Sequence, residues 1–250
     1  MLITKLENGQ PEVFLTVQGE GTTIGKPCIF IRFSVCNLAC KWCDSYFTWN
    51  FDERPGENKH SKPKVKKEIF QMLITQDELI KEIQKFECKN LVFTGGEPTI
   101  YQKELIEVMN KLREINKDYY FEVETNGTLV LQDPFIELIN QINCSPKLAS
   151  SGNASLVANR SAAINKIKDF NETIFKFVIC KKTIAEDIVE IQQWQEQYCI
   201  QNNRIWLMPE GITRKDIIIG SKIIVENFCK LGYNLSPRLH VLLWQNKRAT

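Results

Sequence analysis

Apolar runs of strand length alternate with amphipathic helical patterns along most of this 250-residue chain, and that alternation restricts the fold more than any other feature. Cys28–Phe33 is short, β-rich and preceded by Pro27, so it is expected as a strand. Gln76–Phe86 places Leu79, Ile80 and Ile83 on one stripe at helical spacing. A strand is expected over Asn90–Phe93, stopped by Gly95-Gly96, then a helix over Lys103–Ile115 with Leu105, Ile106, Met109 and Leu112 inward. Tyr119–Glu124 reads as a strand stopped by Asn126-Gly127, and Pro134–Ile142 as a helix. Phe175–Cys180 and Arg204–Met208 read as strands around a helix over Ile184–Tyr198. A long helix over Arg214–Leu231 and a short strand within Ser236–Leu243 complete the pattern. Strand and helix in turn imply a parallel sheet with helices packed outside it. The units are too few for a closed eightfold barrel, so the expected α/β architecture is an open, partial TIM-like (βα) barrel. One domain over residues 1–250 accommodates it, with a polar loop insertion at about 51–67 that is either a lid or a solvated segment.

Charge narrows the function. The 32 basic and 30 acidic residues leave a formal charge of +2, which gives no electrostatic case for nucleic acid or a membrane surface. The run Lys62, Lys64, Lys66, Lys67 is expected to be solvated rather than a binding patch. No apolar run approaches the ~20 residues of a membrane span. Met1–Gln10 lacks a signal-peptide core, so a cytoplasmic protein is expected. Nine cysteines, an odd count in a reducing compartment, do not read as a disulfide framework. Cys28, Cys88, Cys180, Cys199 and Cys229 stand singly in apolar stretches, as small buried hydrophobes do.

Three cysteines are clustered. Cys36-Asn-Leu-Ala-Cys40-Lys-Trp-Cys43 follows the first expected strand directly. Three thiolates within eight residues suit one face of an iron–sulfur cubane and leave one iron open to a small molecule. The spacing also permits a structural zinc site, although Cys88, Cys144 and His60 are not spaced as its missing half. Thr94-Gly95-Gly96-Glu97-Pro98 closes the next strand, where two glycines bring bare backbone close to a ligand. Alone it is a turn. One βα unit after the cysteines, it lowers the zinc alternative to a minor one.

The triad followed by Gly-Gly-Glu-Pro resembles the radical S-adenosylmethionine superfamily, whose members bind the methionine amino and carboxylate groups at the open iron and contact the amino group with the glycine motif. A second resemblance covers nearly the whole chain. Phe14-Leu-Thr-Val17-Gln18-Gly19-Glu20-Gly21, Phe30-Ile-Arg32-Phe33, Cys43-Asp44-Ser45, Glu124-Thr-Asn126-Gly127, Ser145-Pro146-Lys147 and Leu239-His240-Val-Leu-Leu-Trp244-Gln-Asn-Lys-Arg248 are similar to 7-carboxy-7-deazaguanine synthases, in order and in separation. The resemblance implies conversion of 6-carboxy-5,6,7,8-tetrahydropterin to 7-carboxy-7-deazaguanine with loss of ammonia, toward queuosine. It implies a four-iron four-sulfur cluster on Cys36, Cys40 and Cys43, regenerated S-adenosylmethionine, Mg2+, a flavodoxin- or ferredoxin-type electron donor and a homodimer.

Roles follow residue by residue. Val17, Gln18, Gly19, Glu20, Arg32, Thr94 and His240 match pterin positions, and Ser45 the residue that reaches magnesium. An Arg inside an apolar strand needs a partner, and its guanidinium suits the substrate carboxylate. Trp42, Asp44, Gly95, Gly96, Glu97, Ser145, Pro146 and Lys147 match cofactor positions. Glu124, Asn126, Met208, Pro209 and Glu210 stand at later strand ends facing the same cofactor. Three departures stand out, the first being Cys144 before Ser145, which matches no cluster ligand of the family and is expected to be a buried residue. Val35 precedes Cys36 where many members have Gly, and the chain continues ten residues past His240, so Thr250 is not given the substrate contact made by shorter members' termini. A glycyl-radical-enzyme activase and a zinc-stabilised binding protein remain the alternatives.

Overall fold

The strand signals become one ten-stranded sheet in the computed structural model, which describes residues 1–53, 61–153 and 160–250. Its strands are β1 Leu2–Thr4, β2 Val13–Val17, β3 Pro27–Phe33, β4 Gln71–Leu73, β5 Asn90–Gly95, β6 Tyr120–Thr125, β7 Gln141–Cys144, β8 Thr173–Ile179, β9 Ile205–Pro209 and β10 Asn234–Leu235. The order is β10-β9-β8-β7-β6-β5-β3-β1-β4, with β2 also on β3. From β3 to β10 every neighbouring pair is parallel, so their carboxyl ends share one edge. β1, β2 and β4 join antiparallel. The two ends of the path do not meet, and the expected open, partial (βα) barrel is what forms.

Side-chain alternation along the strands sets what each face does. Ile29, Ile31 and Phe33 of β3, Phe121 and Val123 of β6, and Phe175, Phe177 and Ile179 of β8 enter the apolar core shared with the helices. The residues between them, Arg32, Glu122, Glu124 and Lys176, project to the other face and into the barrel. The outer layer is stapled by helices such as Gln76–Gln84, whose Thr75 and Glu78 form a capping box. Gln102–Ile115 buries Leu105, Val108, Met109 and Leu112, while Trp194 of helix Ile184–Tyr198 packs 4.9 Å and 5.1 Å from the Phe175 and Phe177 rings.

Two expectations are corrected. The helix expected over Pro134–Ile142 spans only Asp133–Leu138, and Gln141–Cys144 is β7. Gln141 and Asn143 hide that strand from an apolar count because they face the polar barrel interior, where both are buried. No strand lies within Ser236–Leu243: β10 ends at Leu235, Pro237 has no N–H to pair, and Leu239–Trp244 is a helix. The helix from Arg214 ends at Phe228 and continues as a 3-10 turn over Cys229–Leu231. Short β1, β2 and β4 and the helix Ser161–Ile167 had no sequence signal strong enough to read. At the base of the polar insertion Phe51 bridges Val65, with Val65 N donating to Asn50 O at 2.9 Å. Whether the insertion is a lid or a solvated segment turns in part on residues 54–60, which lie outside the described residues. Among the described residues no helix is long and apolar enough to cross a membrane.

Candidate active site

β3 delivers the chain to the carboxyl edge of the sheet, and the cysteine loop starts there. Val35 sits at φ 75°, the left-handed region that a β-branched residue rarely adopts. It is held by Val35 N donating to Thr48 O at 2.7 Å and by Glu97 N donating to Val35 O at 2.9 Å. The glycine motif explains the closeness: a Cβ on Gly96 would stand 2.0 Å from Val35 O, and one on Gly95 2.1 Å from Phe33 O. The two motifs are thus pressed backbone to backbone, and only glycine permits it.

Each cysteine sulfur of the loop receives an N–H. Leu38 N donates to Cys36 Sγ at 3.4 Å, Asn153 Nδ2 to Cys40 Sγ at 3.2 Å, and Trp49 Nε1 to Cys43 Sγ at 3.3 Å. Such donors suit thiolates that ligate a cluster. Burial pushes all three thiols up, Cys36 to about 12, so without a metal they are neutral. All three line one cavity of about 230 Å³. Among the described residues no three His, Cys, Asp or Glu side chains gather tightly enough for a single metal ion, whereas a cubane takes one thiolate at each of three separate irons. Trp42, in the same lining, has a buried indole N–H without a partner among the described residues, as a wall that meets a ligand acceptor would.

The rest of the lining is a charged chain of contacts. Arg238 donates from Nη2 to Asp44 and from Nε to Glu20 at 3.2 Å. Lys176, 2% exposed, bonds Glu20 and reaches Glu124 Oε2 at 2.7 Å. Burial alone would raise the Glu20 carboxyl, but Lys176 and Arg238 outweigh it and hold Glu20 far below the carboxylate range. Asp44 is likewise held down by Arg238 against burial. Burial pushes His240 down to about 4 despite Glu20, so its ring is neutral at physiological pH. Gly19 underlies that ring, where a Cβ would meet Nδ1 at 2.2 Å. Arg32 Nη1 stands 3.4 Å from Ser45 Oγ, which donates to Asp44 Oδ1 at 3.0 Å.

The sequence profile described as Radical SAM superfamily matches residues 30–147. The 7-carboxy-7-deazaguanine synthase of Halobacterium salinarum is 31% identical, with 96% of this chain and 91% of that protein covered. That of Buchnera aphidicola is 38% identical over 93% of this chain and 96% of its own. The chain belongs to the 7-carboxy-7-deazaguanine synthase family. The crystal structure of QueE from Escherichia coli shares the fold, with a TM-score of 0.64 at 23% identity, covering 96% of this chain and 95% of that one. Membership brings a four-iron four-sulfur cluster and S-adenosylmethionine as cofactors, and the activase and zinc-protein alternatives give way to it.

Most residues singled out from the sequence meet in the cavity of this synthase-family chain. Beside the cysteines its lining includes Gln18, Glu20, Arg32, Trp42, Asp44, Ser45, Thr94, Gly95, Gly96, Glu124, Asn126, Ser145, Lys147, Met208, Glu210 and His240. Five of the expected contacts are not in it: Val17, Gly19, Glu97, Pro146 and Pro209. Val17 pairs with Pro27 at the end of β2, Pro146 is buried beside the site, and Pro209 packs under Gly220. Glu97 is fully buried and turned inward. It accepts from Thr99 Oγ1 at 2.6 Å, Thr125 Oγ1 at 2.8 Å and Asn126 N at 2.7 Å, tying the β5 turn to the β6 end. The sequence reading missed Lys176 and Arg238. Lys176 was findable, as a lone cation in the apolar run Thr173–Ile179, by the argument applied to Arg32.

Beneath the cavity Glu122 is also buried. Its Oε1 accepts from Gln18 Nε2 and from Asn143 Nδ2 at 2.6 Å, and its Oε2 from Thr23 Oγ1 at 2.6 Å. Burial, then the neighbouring Glu124, push its carboxyl from 4.5 up to about 7. A raised folded-state value means that the unfolded chain releases this proton first. Stability therefore falls as pH rises from about 4.5 to about 7, and the loss persists above. Glu122→Gln keeps an accepting oxygen for Gln18 and Asn143 and reverses the Thr23 contact, its amide donating to Thr23 Oγ1, and is expected to gain on the order of 3 kcal/mol at pH 8 and almost nothing at pH 4. Melting curves at both pH values check this; a gap that does not grow with pH contradicts it.

Proposed function

We propose that this chain converts 6-carboxy-5,6,7,8-tetrahydropterin to 7-carboxy-7-deazaguanine with release of ammonia. The observation that carries the reading is the meeting of the three cysteines, the bare glycine edge, Arg32, Ser45 and His240 in one cavity lining. When bound, the reduced cluster supplies the electron that cleaves S-adenosylmethionine to the radical that takes a hydrogen from the substrate. Cys36, Cys40 and Cys43, each receiving an N–H at its sulfur, would hold that cluster. Gly95 and Gly96 offer backbone to the cofactor's amino group, while Trp42, Asp44, Asn126 and Ser145 border it. Arg32 binds the substrate carboxylate, and Ser45 with it places a hard oxygen for Mg2+ beside Asp44. Gln18, Glu20, Thr94 and neutral His240 surround the pterin ring. The buried walls exclude water from the radical. The electron comes from a flavodoxin- or ferredoxin-type donor. Two copies pair, and that pairing is supported by exposed Leu73 at the end of edge strand β4 and exposed Ile69 just before it.

Arg32→Ala tests the substrate assignment. The cluster and S-adenosylmethionine cleavage are expected to persist, while KM for the carboxypterin rises roughly tenfold to a hundredfold, since a hydrogen bond to a charged group contributes about 1.5–3 kcal/mol. An unchanged KM contradicts the assignment.

A further inference from the structure

A carboxylate outside the cavity decides how the cavity presents Arg32. Glu12, fully buried just before β2, stands between two guanidinium groups. Arg32 Nε donates to its Oε1 at 3.0 Å, and Arg248 Nη2 donates to its Oε2 at 2.6 Å. Arg248 comes from the last residues of the chain, with its guanidinium 4.1 Å from the Phe47 ring centroid and 5.5 Å from that of Phe70. It also bonds Lys5 O at 3.2 Å, and nearby Thr16 Oγ1 donates to Thr250 O at 2.8 Å. The tail is therefore fastened to both β2 and the segment after the cysteines. Neither Glu12 nor Arg248 lines the cavity.

An arginine and a carboxylate left to themselves favour a two-bond fork. Here Arg248 occupies Oε2, so Arg32 has one bond to Glu12 through Nε, and its Nη1 is left toward Ser45 at 3.4 Å. One carboxylate between two cations also leaves the group net positive, next to the cavity. Burial opposes ionisation of Glu12, but Arg32 and Arg248 together hold its carboxyl below the usual range.

We propose that Arg248 is a positioning residue: by occupying one oxygen of Glu12 it prevents the bidentate capture of Arg32 and keeps the terminal guanidinium nitrogens of Arg32 available to a ligand carboxylate. The inference rests on the assignment of Arg32 to the substrate carboxylate. It makes the C-terminal segment part of the substrate site although no residue after His240 lines the cavity.

Binding to the reconstituted holoenzyme, measured anaerobically without reductant, tests it with two ligands: 6-carboxytetrahydropterin and the same pterin lacking the carboxylate. Wild type is expected to prefer the first, and Arg32→Ala to erase the preference. Arg248→Met keeps apolar packing on Phe47 and Phe70 but removes the cation. It is expected to reduce the preference about tenfold while the carboxylate-free pterin binds as before, and Arg248→Lys to restore it. Truncation after Lys247 reads the same ratio if Arg248→Met does not fold. A preference lost in Arg32→Ala but intact in Arg248→Met, or in the truncation, overturns the proposal. Wild type and Arg32→Ala binding both pterins equally would instead remove the Arg32 assignment on which it rests.

Discussion

Cys40→Ala is expected to fold, to hold iron and sulfide only at background levels, and to make no product. Cys40 is 7% exposed and its thiol, raised by burial, is neutral before metal arrives, so the empty protein carries no buried charge there. Replacing that thiol by a methyl group leaves a small cavity and takes one of two acceptors from the Asn153 amide, which keeps Ser151 Oγ at 3.1 Å, a loss of about 1–3 kcal/mol. The metal site loses far more. Two thiolates do not hold a cubane with one open iron, and without the cluster the electron for S-adenosylmethionine cleavage has no carrier. Iron and sulfide analysis after anaerobic reconstitution, with a melting curve against empty wild type, separates loss of cluster from loss of fold. Turnover by Cys40→Ala contradicts the assignment of the triad.

Lys176→Met is expected to be the most destabilising single change inside the barrel. The ammonium is the shared partner of Glu20 and Glu124, and removing it leaves two partly buried carboxylates with only Arg238 as a charged side chain bonded to Glu20. Breaking a buried ion pair from one side costs about 3–5 kcal/mol, or roughly 6–20 °C in melting temperature for a chain of this size. The pH dependence gives the cause. Lys176 is among the groups that depress the Glu20 carboxyl, and a depressed carboxyl contributes stability above its unfolded value that is lost as pH falls. The gap between variant and wild type should therefore be widest at neutral pH and shrink in acid, as the Glu20 carboxyl protonates. An equal gap at pH 7 and in acid would point to lost packing instead.

Apolar runs of strand length were legible, and they located β3, β5, β6, β8 and β9. β7 was not, because its inward residues are polar by necessity: Asn143 serves Glu122 and Glu124 in the barrel interior. The sequence reads such a strand as a helix tail or a loop. The candidate site was legible where residues lie close in the chain, as in the cysteine triad and the glycine motif. It was hidden where the fold joins distant positions. Glu12 meets Arg248 across nearly the whole chain, and Arg238 joins Asp44 to Glu20, pairings that no local spacing announces. Glu97 is the instructive intermediate. Its motif marked the right place, but the carboxylate braces the neighbouring turn rather than lining the cavity.

The central claim is a ring-contracting synthase that regenerates its S-adenosylmethionine, and one measurement bears on it most directly. The reconstituted, reduced protein is incubated anaerobically with S-adenosylmethionine, Mg2+ and 6-carboxytetrahydropterin, and 7-carboxy-7-deazaguanine is quantified against the S-adenosylmethionine consumed. Product accumulating well beyond the cofactor lost is the predicted result. A cluster that cleaves S-adenosylmethionine while no deazaguanine forms would contradict it.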